Sequence, residues 1–288
     1  MNNSKDIVVI GYARTAFDKF GGVCKEIPSS KLAEWVIRQL IERTGINKNE
    51  VNDVNLGLCM FGEAVTQTDI IARQALLNAG LPDETLSNNI DRACCSSTTA
   101  LQQSMRNLML GEAEISIALG VDNMSRVALY VPPEYRWKGS RLGDMKLVDM
   151  LFNFGIPGFS ILAVDAGEVA LEYDISREMQ DEWSVRSQQL YGAALEKGYL
   201  KNEIFPIEIS QGKKEPPVVF DTDANPRPNT TVDKLAKLPT IYGSPTMTAG
   251  NSPGLGTGAS GIMLATREKA EALGIKPLAT LVDVVSIA

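Results

Sequence analysis

The sequence predicts a layered α/β fold: a mostly parallel sheet, interrupted by one loop-rich insert. Three observations carry this. Apolar, strand-like runs alternate with helical stretches over residues 1–125. The alternation stops over residues 126–247 and resumes over 248–288, which divides the chain into a core of two segments around an insert. Residues 87–110 read as a strand, a sharp turn and a helix. Such a unit puts its turn at the carboxyl end of a strand, where open α/β sheets gather ligands.

In order, the early run IVVIGY reads as a strand buried on both faces. Ser29-Ser30 opens a helix through Leu32, Trp35, Val36, Leu40 and Ile41, and Gly45 stops it. Val51 to Leu58 is the second strand, and a helix follows over 68–79. The next strand has Ile90 as its buried residue, and Ala100, Leu101, Ser104, Met105 and Leu108 recur at helical spacing after the turn. Ile115 to Leu119 is a further strand. In the insert, Pro132, Pro133, Pro157 and Gly158 break the periodicity, and one long helix spans Ser176 to Lys197 with Ser176 as its N-cap. Gly258 to Thr266 returns as a strand, 267–273 as a short helix and Ala279 to Ala288 as a last strand.

At 288 residues the chain can bury a large core, and the length suggests about two domains. A net charge of −7 argues against nucleic-acid binding, which needs a basic footprint. A local cationic patch for phosphates is still compatible with that sum. No run is long and apolar enough for a membrane span, and no secretory signal precedes the first strand. The four cysteines (Cys24, Cys59, Cys94, Cys95) lack zinc spacing. The expectation is a cytoplasmic protein with reduced thiols and no metal. The chain has no histidine, so a Cys-His or Ser-His pair cannot form within it.

Cys94 and Cys95 fall where the strand turns into the helix. Free N–H groups and the positive end of the helix dipole stabilise a thiolate there. By position alone, buried inert packing competes with nucleophilic catalysis. Cys95 is either packing or a thiol that resolves an oxidised Cys94, at the cost of a strained vicinal disulfide.

Several motifs then converge. Asp91-Arg92-Ala93-Cys94-Cys95-Ser96-Ser97 resembles the N-x-x-C-G-S-G nucleophile motif of the thiolases. Ala13 to Gly22 is similar to the family's A-x-R-T-P-x-G-x-F-G-G, with Ala16 and Asp18 for the proline and glycine. Ala72-Arg73-Gln74-Ala75 resembles P-A-R-Q-A, and Gly120 to Ser125 resembles G-G-x-E-S-M-S, with Asp122 for the glutamate. ISREMQDEWSVRSQQ and DTDANPRPNTTVDKLAKL resemble two stretches of the family's loop domain, and Thr248-Ala249-Gly250-Asn251 matches its T-A-G-N. Pro253 replaces a serine that helps hold coenzyme A, and Ile161 replaces a loop-domain histidine.

The resemblance implies a thiolase-like fold whose insert, 126–247, is the loop domain. It implies acyl transfer between a cysteine and coenzyme A, by thiolysis of a 3-oxoacyl-CoA or Claisen condensation of acetyl-CoA. Cys94 would be the acylated nucleophile, and its own N–H would help hold the oxyanion. Arg227, Ala249, Gly250 and Asn251 would meet coenzyme A. Solvated arginine and backbone-bonded turn residue are equal alternatives for Arg227 and Asn251. Lys234, Lys237 and Tyr242 fit surface and packing roles better. Coenzyme A thioesters are substrates, with no resident cofactor implied.

The resemblance reaches only the first two-thirds of a thiolase. The second part carries an N-E-A-F asparagine, a G-H-P histidine and a C-x-G cysteine, which are absent here. The implied partners are a homo-oligomer or a separate C-terminal thiolase-half subunit, docked on an apolar face left uncovered. A non-catalytic acyl-CoA-binding or assembly subunit is the alternative. A ketoacyl-synthase-type condensing enzyme is a third reading, disfavoured by the insert.

Overall fold

The computed structural model describes residues 6–59, 70–139, 142–152, 160–212 and 215–287. Pro157, Gly158, Ala288 and the first two positions of the helix expected over 68–79 lie outside these residues. The chain divides into two compact units. The first comprises residues up to Arg126, Lys201–Asp223 and the chain from Gly256; the second comprises Val127–Leu200 and Ala224–Leu255.

In chain order the elements are β1 (Ile7–Arg14), β2 (Asp18–Lys19), α1 (Ser29–Thr44), β3 (Asp53–Gly57), α2 (Ile71–Ala79), β4 (Leu86–Ile90), α3 (Ser96–Leu110) and β5 (Ile115–Asn123). In the second unit follow β6 (Leu129–Tyr130), α4 (Tyr135–Lys138), β7 (Val148–Asp149), α5 (Leu162–Glu172) and α6 (Arg177–Glu196). Strands β8 (Ile207–Ile209) and β9 (Val218–Phe220) belong to the first unit and α7 (Val232–Leu235) to the second. The chain closes the first unit with β10 (Gly256–Thr266), α8 (Arg267–Ala272) and β11 (Ala279–Thr280).

The main sheet has the order β11-β1-β10-β5-β3-β4, with β2 pairing β10. Strand β3 runs parallel to both β4 and β5. Strand β10, which returns after the insert, is antiparallel to β1 and β5. The sheet is therefore mixed, and its parallel part is the β4-β3-β5 side that carries the cysteine turn.

The two faces differ in chemistry. Val54, Leu56 and Leu58 are buried on the face of α1 and α2, together with Leu32, Val36, Ile37, Leu40, Ala75 and Leu76. Successive strand residues alternate faces, so Asp53, Asn55 and Gly57 point to α3. There the Asp53 carboxylate accepts hydrogen bonds from Ser116, Asn107 and Asn55. Asn55 donates to Ser104 of α3 at 2.9 Å and accepts from Asn88 of β4 at 2.9 Å. Nearer the C-terminus of α3, Leu108 joins Ile7, Ala113 and Leu264 in an apolar cluster, with Leu101, Met105 and Leu281 at its margin.

The first turn of α3 lies on bare backbone. A Cβ on Gly57 would overlap the backbone of Ser96 and Ser97. A Cβ on Gly120 would sit 2.6 Å from the Ser97 Cβ. Glycine at these two strand positions permits the close approach.

Other expectations are corrected. Residues 201–223, read as insert, belong to the first unit, and 248–255, read as core, belong to the second. The cause is Arg14, which forms ion pairs with Asp223 at 2.7 Å and Glu203 at 3.0 Å. Backbone hydrogen bonds Arg14 N–H to Glu203 O and Phe205 N–H to Arg14 O add to this clamp. Ser29 and Ser30 are not caps: Pro28 takes the N-cap position, and both serines are buried in the first turn of α1. Gly45 does end α1, in the left-handed conformation. Ile90 is only half-buried because β4 is an edge strand. The last strand shrinks to Ala279–Thr280, since only Val8 and Val9 of β1 pair with it. In the insert, Ser176 caps α6 through the Met179 N–H at 3.3 Å, and α5 is a helix that periodicity did not predict.

Burial pushes the Asp53 carboxyl above its ordinary value, against the lowering effect of its three donors. A carboxyl raised in the folded state costs nothing below its unfolded pKa of about 4 and destabilises as pH rises through the folded value. Asp53→Asn removes that cost, and the amides of Asn107 and of Gln103, whose Nε2 donates to the Asn107 oxygen, turn together to accept the new NH2. Its melting-temperature advantage over the wild type is expected to vanish near pH 4 and widen toward pH 7; a constant difference would contradict a buried charge. Gly57→Ala is expected to destabilise by about 3 kcal/mol in denaturant unfolding, the upper end for overpacking, because it meets backbone rather than a mobile side chain.

Candidate active site

Strand β4 ends at Ile90, and the chain turns through Asp91, Arg92 and Ala93 into α3. Ala93 adopts φ of +48°, an uncommon left-handed conformation for a residue with a Cβ. Local hydrogen bonds hold it. Asp91 Oδ1 accepts the Ala93 N–H at 2.9 Å. The Ser96 hydroxyl accepts the Arg92 N–H at 2.8 Å and donates to Ala93 O at 2.6 Å. The aspartate and serine of the motif are thus structural groups of the turn.

Cys95 is the N-cap of α3, and Cys94 precedes it; both are exposed. The Cys95 N–H donates to Arg92 O at 3.0 Å, and its carbonyl accepts from the N–H and the hydroxyl of Thr99, each at 2.9 Å. The N–H groups of Cys94, Ser97 and Thr98 have no acceptor among the described residues. An exposed thiol beside uncommitted N–H donors at a helix start is suited to attack a carbonyl and to stabilise the oxyanion that forms.

Acidic groups gather around Cys59. Cys59 follows the end of β3, and its N–H donates to the Asp122 carboxylate at 3.2 and 3.3 Å. Burial, then Asp122, Cys94 and Asp91, push the Cys59 thiol up to about 12. Arg92, the nearest cation in sequence, donates to the Ser286 hydroxyl at 2.6 Å. A neutral hydroxyl leaves the Arg92 charge intact, and the helix start adds its own positive potential at Cys94. Cys59 was not singled out in the sequence. It lies just past the strand that pairs in parallel with the one leading to Cys94, and that pairing leaves no local trace in the sequence.

The other candidate residues belong to the second unit. Arg227 lines an open cleft of about 370 Å³ with Pro228, Asn229, Thr230, Lys234 and Leu235. Its backbone N–H donates to Gln188 Oε1, and the Lys234 ammonium donates to Asn229 O at 3.0 Å. Ala249 is exposed. Gly250 sits against Leu235 and Leu238, where a Cβ would come within 2.5 and 2.7 Å of their methyl groups. Asn251 is a turn clamp: its Oδ1 accepts the Thr248 N–H at 2.7 Å, and its Nδ2 donates to Asp181 Oδ1 at 3.2 Å and Thr246 O at 3.3 Å. Tyr242 meets Phe152 edge to face at 6.1 Å. Ile161 is the half-buried N-cap of α5. Arg14 of the Ala13-Arg14-Thr15 motif is the clamp on Glu203 and Asp223.

Among the described residues no helix is long and apolar enough to cross a membrane.

Comparison with known proteins identifies the family. Residues 7–268 match the family model described as "Thiolase, N-terminal domain". The chain is 37% identical over 286 residues to an acetyl-CoA acetyltransferase of Pseudomonas aeruginosa, covering 98% of this chain and 71% of that protein. It is 35% identical over 288 residues to the beta-ketothiolase BktB of Cupriavidus necator, covering 97% and 71%. Human mitochondrial 3-ketoacyl-CoA thiolase superposes with a TM-score of 0.88 at 28% identity, over 97% of this chain and 70% of that one. The Bacillus anthracis acetyl-CoA acetyltransferase gives 0.88 at 33% identity, over 96% and 69%. The expected fold class and resemblance are thus shown, and the chain, spanning about 70% of the length of these relatives, belongs to the thiolase family.

Proposed function

We propose that this chain is the acyl-accepting part of a thiolase-type acyltransferase, with Cys94 as the residue that carries the acyl group. The observation that supports this most is the exposed Cys94 thiol beside the uncommitted N–H groups at the start of α3. Cys94 attacks the thioester carbonyl of an acyl-CoA, the coenzyme A thiolate leaves, and the acyl group stays on sulfur until a second nucleophile takes it. The backbone N–H groups at the turn hold the oxyanion. Arg227, with Lys234 close by, meets phosphate oxygens of coenzyme A at the cleft they line. Ala249 and Gly250 offer backbone and small side chains to the pantetheine, and Asn251 holds the turn that presents them. The reaction class is thiolysis of a 3-oxoacyl-CoA or condensation of acetyl-CoA, with thioesters as substrates and no resident cofactor. The reading includes a cytoplasmic setting.

Turnover needs a proton-transfer group that a chain without histidine does not supply in the usual form. A complementary polypeptide, equivalent to the remaining part of the relatives, is therefore part of the proposal. Met109 and Leu110 on α3 and Val282, Val285 and Ile287 near the C-terminus are exposed apolar side chains consistent with such a partner or a second copy. The absence of histidine from the sequence favours one second reading, a subunit that binds acyl-CoA without turning it over.

Incubation with acetyl-CoA or acetoacetyl-CoA, followed by intact mass and peptide mapping, is expected to show one acyl group on Cys94 and none on Cys94→Ala. Coenzyme A binding without an adduct would support the binding subunit instead. Arg227→Ala is expected to weaken coenzyme A binding by calorimetry about 3- to 10-fold, the scale of one exposed charge–phosphate contact, while leaving far-UV circular dichroism unchanged. In size-exclusion chromatography the isolated chain is expected as a dimer or larger species; a monodisperse soluble monomer would contradict an uncovered apolar face.

A further inference from the structure

The parallel pairing of β3 and β4 brings two cysteines to the same edge of the sheet. Gly57 is in register with Ile90, and the Leu58 N–H donates to Ile90 O at 3.1 Å. The chain leaves β3 through Leu58 into Cys59, and it leaves β4 through the Asp91–Ala93 turn into Cys94. Gly57 is pressed against the backbone of Ser96 and Ser97, which holds the end of β3 under the start of α3. The Cys59 thiol accordingly feels the charge of both Cys94 and Asp91.

We propose that Cys59 and Cys94 are an oxidation site, closing into a disulfide when a hydroperoxide oxidises Cys94. Cys94 is exposed and takes the first step: its sulfur attacks the peroxide, the O–O bond breaks, an alcohol or water leaves, and Cys94 becomes a sulfenic acid. Cys59 takes the second: its sulfur attacks the Cys94 sulfur, the S–S bond forms and the S–O bond breaks. The Cys59 proton passes by way of Asp122 to the departing hydroxide, which leaves as water. In sum, two thiols and one hydroperoxide give one disulfide, one alcohol and one water.

The division of roles follows from the surroundings. Only a thiolate reacts readily with peroxide, and Cys59, held protonated by burial and by Asp122, is protected from direct oxidation. The Asp122 carboxylate beside it is the acceptor for its proton during disulfide formation. Cys95, although adjacent in sequence, is the poorer resolving thiol. Neighbouring Cα atoms are about 3.8 Å apart, below the separation of roughly 4.4–6.8 Å usual for a disulfide. The Cys95 backbone is also committed to the helix start through Arg92 and Thr99. Closure of the pair would remove the thiol proposed to carry the acyl group.

The test reads thiol chemistry alone, so it stands or falls independently of acyl transfer. The purified chain is treated with hydrogen peroxide, blocked with iodoacetamide and mapped by mass spectrometry without reduction. The expected product is a Cys59–Cys94 cross-linked peptide lacking two hydrogens and reversed by dithiothreitol. Cys95→Ser should retain it. Cys59→Ser should lose it and leave Cys94 as a sulfenic acid that dimedone captures. A Cys94–Cys95 disulfide, a disulfide between two copies, or wild-type sulfenic acid captured as fully as in Cys59→Ser would each overturn the proposal. The wild-type map decides by itself if a variant fails to fold.

Discussion

The close seating of α3 on the sheet is the constraint on which the site depends. A helix cannot approach a strand this closely over side chains. Gly57 and Gly120 remove the Cβ atoms that would hold it off, and Ser96 and Ser97 fill the space. The helix start is thereby fixed above the carboxyl ends of β3 and β5. The chain must then turn sharply from β4 into that start, and Ala93 takes the left-handed conformation that the turn requires. Asp91 and Ser96 supply the hydrogen bonds that offset its cost. The exposed position of Cys94 follows from this arrangement.

The same seating explains why the two faces of the sheet are unlike. The face of α1 and α2 is dry and apolar, from Val54 and Leu56 to Val36 and Leu40. The face of α3 carries a connected polar group, Asp53, Asn55, Asn88, Ser104, Asn107 and Ser116, whose donors and acceptors are matched among themselves. A matched buried network fixes register more sharply than apolar contact does, because any slip leaves a polar group unpaired. Here it locks α3 to β3, β4 and β5 at one end, while Leu108 and Leu264 pack the other.

The site at the start of α3 is built from local groups. Its donors are backbone N–H groups and its neighbours are acids and a protonated thiol. Such a site is suited to stabilise an oxyanion, and the sequence holds no histidine to serve beside it as a base. Apolar side chains stand exposed on α3 and after β11.

Much of this was legible in the sequence because it is local. Alternating apolar runs, the Gly45 stop, the Ser176 cap and the strand-turn-helix at Cys94 depend on residues within a few positions of one another. The motif letters around Cys94 and in ISREMQDEW carried the family. The pairings that decide the fold's boundaries are long-range and were not legible. Arg14 recruits residues 201–223 into the first unit through Glu203 and Asp223, about 200 positions away. Strand β10 makes the sheet mixed by returning antiparallel to β1 and β5. Asn251, a possible ligand contact by motif, is a turn clamp because Asp181 lies opposite it. Cys59 gained a role only when β3 was placed beside β4. The sequence by itself determined which residue types stand at the nucleophile turn and what chemistry they can perform; only the tertiary structure decided which distant side chains face that turn, since strand order and unit membership are set by contacts that no local pattern encodes.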